Sequence, residues 1–379
     1  MLSEPTYIPA RMVAANIETH FSVHLDNARE NGVDNLAHKP EASIIESVID
    51  VAYWASLGKE EGHPPKISIA ILKPDQASHP LIFGNRIRLT PHNLVKLAPA
   101  VESPGIHLGV WLENDELYVW GTTLTIPGIC FVLEVVEPGL LVIKHSRTDG
   151  FGKFLNIAVL KGDDIKLIDE ENTGMQGCPA LFDSLPAMAA PFVNGSVNLM
   201  VELAASMRKH GRGGLVVIVP ENSETWRESI VHPMTYPVTP PFRGIAKLML
   251  KDRYERTKTD WQEAFLRAVD IVGGYTAVDG ATVLNRNYEL LAFGAKIARS
   301  GMSTPVDQIV TTEPVLGGTP VTLHPSQNGG TRHLAAAQFV FDQRDAIALV
   351  ASQDGRFTIF VWSEALQMVH AHRIDILLL

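Results

Sequence analysis

Two short segments, Gly213–Val219 and Ala346–Ser352, are apolar at nearly every position. Runs this short read as strands, and their lack of alternation means that both faces of each strand are covered. Such strands require helices packed against their sheet, and the neighbouring sequence supplies them. Ser196 is a candidate N-cap for a helix whose Val197, Met200, Leu203, Ala204 and Met207 share one face, ending at His210-Gly211. Thr259-x-x-Gln262 reads as a capping box opening a helix with Trp261, Ala264, Phe265, Ala268 and Val269 inward. Thr331–Arg344 reads as another helix. Thr276–Leu284 and Tyr288–Lys296 flank Asn285-Arg286-Asn287 as hairpin strands, and Arg356–Trp362 follows the turn Asp354-Gly355. The second half is therefore expected to be α/β, a mixed sheet with flanking helices.

The first half has a different pattern. A helix is predicted over Ser43–Leu57, with Ile44, Ile45, Val48, Ala52 and Tyr53 on one face and Gly58 at its C-terminal end. A strand follows at Lys66–Leu72, then a helix over Pro91–Val101 capped by Thr90. Three hairpins come next, turning at Glu113-Asn114-Asp115, Glu137-Pro138-Gly139 and Lys161-Gly162-Asp163. This is an α+β, β-rich module. Pro179, Pro186, Pro191 and Gly195 break the pattern between Glu170 and Gly195, where Leu181–Ala190 could add a short helical turn. The expected organisation is a sensor-like domain over residues 1–180, a second domain over 195–365, and a C-terminal extension over 366–379.

A chain of 379 residues has room for these two cores. Its net charge of −10 argues against non-specific binding to nucleic acid or anionic membranes, so neither is expected as a partner. Two cysteines, Cys130 and Cys178, exclude a disulfide framework and a Cys-rich zinc site, and a cytoplasmic location is expected. The opening MLSEPTYIPARMV lacks the apolar core of a secretory signal. Glu134, Glu137, Pro138 and Gly139 interrupt the apolar stretch Ile126–Ile143, which reads as two strands and a turn, not a membrane span.

No GxxxxGK[ST], GxGxxG after a strand, HExxH or GxSxG is present. Two local features carry chemistry instead. Asp279-Gly280-Ala281 places a carboxylate within an apolar strand pattern, where it could meet a metal or a hydroxyl; a glycine-induced bulge is the plain alternative. Gly329-Gly330-Thr331-Arg332-His333 opens a helix, where free N–H groups and the positive dipole end favour an anion and Arg332 and His333 add donors. A simply capped helix start explains the same residues without a ligand.

Gly213-Gly214-Leu215-Val216-Val217-Ile218, Asp279-Gly280-Ala281 and Gly330-Thr331-Arg332-His333, in that order, resemble the three motifs of the diadenylate cyclase family, also found as the N-terminal domain of the DNA-integrity scanning protein. The run Ala348–Asp354 resembles that family's strand ending in Ser-Glu-Glu. The resemblance implies a homo-oligomer of face-to-face domains that condenses two ATP into cyclic di-AMP and releases two pyrophosphates. It implies catalytic roles for Asp279, Arg332 and His333. Asp279 would hold Mg²⁺ or Mn²⁺ and help deprotonate the attacking hydroxyl. Gly214, Leu215, Gly280, Ala281, Gly330, Thr331, Arg332, His333 and Ser352 would bind the nucleotide, with Gly214 and Leu215 lining the adenine pocket. Three positions depart from the family pattern: Val278 replaces a histidine, Leu334 an arginine and Gln353 an acidic residue. A nucleotide-binding sensor of the same fold without cyclase activity is the alternative, and a structural protein with a vestigial pocket a third. The first half resembles the DACNV-type sensor domains fused to some cyclases of this family, with an unknown ligand.

Other groups read as structural. His370 and His372 could ligate a metal from one strand face but have no evident third ligand. His145, Arg147 and Asp149 read as exposed loop residues, and Trp111, Tyr118 and Trp120 as cross-strand packing.

Overall fold

The hairpins of the first half assemble into one eight-stranded sheet. The computed structural model describes residues 5–146, 154–168, 199–256, 258–301 and 303–379. It divides into two units, Met1–Ile168 with Leu379, and Asp169–Leu378. Ser196, Val197, Arg147, Asp149, Cys178 and the expected boundary around Leu181–Ala190 lie outside the described residues.

The strands of the first unit are β1 (Ile67–Ile71), β2 (Leu81–Arg88), β3 (His107–Glu113), β4 (Glu116–Thr123), β5 (Phe131–Glu137), β6 (Leu140–Ser146), β7 (Phe154–Lys161) and β8 (Asp164–Leu167). They run in the order β2-β4-β3-β1-β5-β6-β7-β8. Asn114 and Asp115 join β3 to β4 with φ of 49° and 62°, the positive values that a tight two-residue hairpin demands. All five residues of β1 are buried. Ile67, Ile69 and Ile71 enter the main core, while Ala70 packs on the opposite face with Leu72, Trp120, Cys130 and Val132. Trp111 pairs with Tyr118 across β3 and β4, and the Trp120 indole N–H donates to the Leu72 carbonyl at 2.8 Å.

Among the described residues, this unit has the helices α1 (Ile8–Glu30), α2 (Ala42–Ser56) and α3 (Pro91–Leu97). Thr90 caps α3 by accepting from the Asn93 N–H at 3.2 Å. The sequence reading did not anticipate α1. Its Ala10, Val13, Ala14, Ile17, Phe21, Leu25 and Ala28 are buried at helical spacing. Burial of each large apolar side chain among them contributes about 1.5–3 kcal/mol. His145 corrects another expectation: it is 6% exposed within β6, not a loop residue.

The second unit has a nine-stranded sheet of β9 (Gly214–Val219), β10 (Tyr236–Phe242), β11 (Ala281–Asn285), β12 (Leu290–Ala295), β13 (Ile309–Thr312), β14 (Val321–Leu323), β15 (Ile347–Ala351), β16 (Phe357–Ser363) and β17 (Met368–Arg373). Their order is β10-β12-β11-β9-β15-β16-β17-β13-β14. At one edge β10 carries Pro237, Pro240 and Pro241, which cannot donate to a ladder. The residues expected to form a C-terminal extension are part of the sheet, because β17 pairs with both β16 and β13.

Helices α4 (Leu199–Lys209), α5 (Thr259–Tyr275) and α6 (Thr331–Asp342) pack with this sheet. The inward face of α6 places Ala336, Ala337, Phe339 and Val340 against Val217, Ala348 and Phe360. The Thr259–Gln262 capping box does not form: Lys258 is the N-cap, so Thr259 already lies inside the helix. Helix α5 continues to Tyr275 and turns follow over residues 276–280, whereas a strand was expected from Thr276 onward. Asp279-Gly280 consequently lies in the turn entering β11, not within the strand.

Candidate nucleotide site

Strand β9 runs parallel to β11 and antiparallel to β15. The starts of β9 and β11 and the end of β15 therefore share one end of the sheet. Leu215 stands opposite both Ala281 and Val350, and Gly214 opposite Ala351. This topology gathers Gly213-Gly214, Asp279-Gly280 and Ser352, although they are far apart in sequence. The start of α6 brings Gly330, Thr331 and Arg332 to the same end: a Cβ on Gly213 would stand 3.1 Å from Arg332 Nη1 and 3.0 Å from the Ala351 carbonyl oxygen.

Glycine is required at two of these positions. Gly213 has φ +71° and makes room for the Arg332 guanidinium. Gly280 has φ +123°, and a Cβ there would lie 2.4 Å from the Gly294 carbonyl carbon. Leu215 and Ala281, 3% and 0% exposed, lie among core side chains and hold the strands beneath the site. Ser352 is half-buried; its N–H donates to the Arg356 carbonyl at 2.9 Å, and its own carbonyl closes the turn by accepting from Gly355.

Asp279 is open to solvent and paired with Lys296. The Lys296 hydrogen bond and charge hold its carboxyl below the usual carboxylate range, with a smaller contribution from Arg332. Thr331 is exposed and Arg332 half-buried at the start of α6, where Gly330 supplies no side-chain cap. First-turn N–H groups of a helix that lack an intrahelical acceptor attract anions, and at the start of α6 the His333 N–H is already spent on the Gly330 carbonyl at 3.0 Å. An electropositive helix start thus lies at the same sheet end as one carboxylate.

His333 takes a different position from the one expected. It is 1% exposed, with its ring edge-on to Phe360 and Nε2 3.3 Å from Thr358 Oγ1. It precedes Ala336, Ala337 and Val340 by three, four and seven residues, so it shares the inward face of α6. Burial pushes its pKa down to about 4, leaving a neutral ring at physiological pH. A Cβ on Gly329 would lie 2.4 Å from its Nδ1, so the ring supports the glycine segment from behind instead of facing the open end.

The sequence reading missed Lys296, His210 and Thr276. The Ala281–Ala295 pairing brings Lys296 near Asp279, a proximity that the hairpin pattern alone could have suggested. The Arg212 N–H donates to His210 Nδ1 at 3.1 Å, leaving Nε2–H to meet Thr276 Oγ1 at 3.0 Å. Thr276 in turn donates to the Gly273 carbonyl at 2.7 Å. A Cβ on Gly214 would lie 2.8 Å from Thr276 Oγ1, so the buried end of this chain packs directly against the start of β9.

A magnesium or manganese ion held mainly by phosphates and water needs only one or two carboxylates. Asp279 fits that requirement through Oδ1, since Lys296 engages Oδ2. His370 and His372 are buried, and each lies 3.0 Å from Thr312 Oγ1. Among the described residues they join no group of three metal-type ligands.

Residues 34–124 match the family described as "Probable sensor domain DACNV". No curated protein matches the chain. Among solved structures, the chain is similar to a hypothetical membrane spanning protein from Bacillus cereus at 15% identity, covering 52% of this chain and 74% of that one, with a TM-score of 0.28. It is similar to a double mutant of DacA from Staphylococcus aureus at 14% identity, covering 46% of this chain and 83% of that one, with a TM-score of 0.24. Superpositions this loose carry no weight in the functional assignment. Among the described residues, no helix is long and apolar enough to cross a membrane.

Proposed function

We propose that the second unit binds ATP where Gly213-Gly214, Asp279-Gly280, Gly330–Arg332 and Ser352 converge, and condenses two ATP into cyclic di-AMP. The observation that carries this reading is the convergence itself: the motifs with family resemblance meet at one sheet end beside an electropositive helix start. The Arg332 guanidinium and the N–H groups of Thr331 and Arg332 at the start of α6 bind the triphosphate. Gly214 and Gly280 allow the close packing against Thr276 and Gly294 that positions the strand starts, with Leu215 and Ala281 beneath. His333 acts as a positioning residue behind Gly329.

Asp279 holds the magnesium or manganese ion, which neutralises phosphate charge when bound. Its lowered pKa favours holding charge over accepting a proton from the 3′-hydroxyl. In the reaction that hydroxyl oxygen bonds to the α-phosphorus of the opposite ATP as the bond from that phosphorus to the α–β bridging oxygen breaks; pyrophosphate leaves with the bridging oxygen, and the hydroxyl proton passes to the leaving pyrophosphate or to solvent. A face-to-face pair of second units supplies the two nucleotides, and the first unit, as a sensor, regulates their encounter.

The Lys296–Asp279 pair favours a second reading, in which the unit binds nucleotide without turnover. There the Lys296 ammonium takes the place of a metal's charge. Incubation of the purified chain with ATP and Mg²⁺ or Mn²⁺, followed by mass spectrometry, separates the two. Cyclic di-AMP that disappears in Asp279→Asn supports the cyclase. ATP binding without any cyclic product at high protein concentration leaves the sensor reading and rules out the enzyme.

A further inference from the structure

The first unit contains a histidine cluster that neither the sequence resemblance nor the family match accounts for. His20 and His24 lie four residues apart on α1 and therefore project from adjacent turns of one face. They flank Phe21 and Leu25, whose burial fixes α1 against the sheet. Phe21 packs 5.7 Å from Phe131, and Phe131 is the cross-strand partner of His145. The same packing thus carries His20 and His24 to His145. Ring centroids are 4.1 Å apart for His20–His24 and 5.4 Å for each of the pairs with His145. One ligand nitrogen from each ring lies within 4.8 Å of the others.

We propose that His20, His24 and His145 form a binding site for a divalent transition-metal ion of the zinc class, with a fourth coordination position open to water or a small ligand. Three imidazoles form a donor set that such ions favour, and three protein ligands with one open position is a recurrent zinc arrangement. Zinc–nitrogen bonds of about 2.0–2.1 Å in a tetrahedron place the nitrogens about 3.3 Å apart. His20 and His24 are both half-buried, and closure on an ion calls for rotation of their side chains.

The surroundings of the rings support the assignment. His145 Nδ1 donates to the Ser146 carbonyl at 2.9 Å, leaving the lone pair on Nε2. Such a hydrogen bond, fixing the tautomer and aiming the ring, typically accompanies a metal-ligating histidine. His20 Nε2 is buried without a hydrogen-bond partner. Leaving such an atom unsatisfied is unfavourable, a cost that a purely apolar ring at this position would avoid. Burial, with the neighbouring His24 and His145, lowers the His20 pKa to about 3; burial also lowers that of His24. Imidazoles held neutral are in the form that binds a metal. All three residues lie outside the 34–124 segment that matches the sensor family.

The test uses the full chain without a histidine tag, stripped with chelator and titrated with Zn²⁺ against a chromophoric competitor. Co²⁺ serves as a spectroscopic substitute. The expected result is one equivalent per chain, a cobalt spectrum of low-symmetry, four-coordinate type, and a zinc-dependent rise in Tm. His24→Gln, at a half-buried helix position, should weaken binding by roughly 100-fold or more while the circular dichroism stays unchanged. His20→Gln should behave alike. Absence of a stoichiometric equivalent in the wild type overturns the proposal, as does an equivalent that both variants retain undiminished. Neither result depends on whether the second unit turns over ATP.

Discussion

In the first unit, three imidazoles meet on a helix and a strand whose partners are fixed by apolar burial. In the second, Asp279, Lys296 and Arg332 meet at an open sheet end, on turns and the start of a helix. Phe21, Leu25 and Phe131 assemble the histidine cluster before any ligand arrives. The second group has an exposed carboxylate held by an exposed lysine, so its arrangement can change when an anion arrives. The contrast separates a site built by packing from one built by strand topology. Packing should make the first sensitive to its ligand atoms. Topology should make the second sensitive to the backbone that carries its charges.

The largest effect expected from that difference is at Gly280. With φ +123° and the Gly294 carbonyl carbon 2.4 Å from a would-be Cβ, Gly280→Val should cost about 3 kcal/mol or more and remove nucleotide binding. Calorimetric unfolding checks it; an unfolding profile identical to that of the wild type would mean that the β11 start is not the rigid platform described. Gly330→Ala is the counterpart, since its Cβ would meet nothing within 4 Å. Its stability should stay within about 0.5 kcal/mol of wild type.

A second effect concerns acid. Folded His333 has a pKa of about 4 against an ordinary 6.5, so the unfolded chain takes up its proton first as pH falls. Its neutral-state stabilisation is complete above about pH 6.5 and is lost progressively towards pH 4, by about 3 kcal/mol. Denaturant unfolding across that window should be flatter in His333→Gln. An unaltered slope would place the ring in solvent, against its observed burial.

A smaller effect separates the two readings of the second site. Lys296→Ala should barely alter stability, because the ion pair is exposed. If Lys296 stands in for a metal, ATP affinity in chelator should fall by about tenfold. If it only occupies Asp279, affinity in magnesium should hold or rise. Isothermal titration with and without chelator distinguishes the cases.

Much of the sheet could be read from the sequence because its signals are local. Asn114-Asp115 specified a hairpin, and Gly213–Val219 a strand covered on both faces. Helix α1 was missed although Ala10, Val13, Ile17, Phe21 and Leu25 carry its period, and with it went the His20–His24 pair. The edge strand β2 has mostly exposed positions and so no alternation to detect. At the second site, glycine and charge motifs could be read, but their geometry could not. Helix α5 runs on to Tyr275 through Gly273, which is buried against Ser206, a close packing that the residue pattern does not show. His333 looked like a phosphate donor because its neighbours do; helix periodicity instead turns it inward.

The most direct test of the second site is a titration of the purified chain with ATP, comparing wild type with Arg332→Ala. Saturable binding in the wild type is expected, weakened by about tenfold or more in the variant as the guanidinium leaves the helix start. No binding by the wild type, or equal binding by both proteins, would contradict the placement of a triphosphate where β9, β11, β15 and α6 converge.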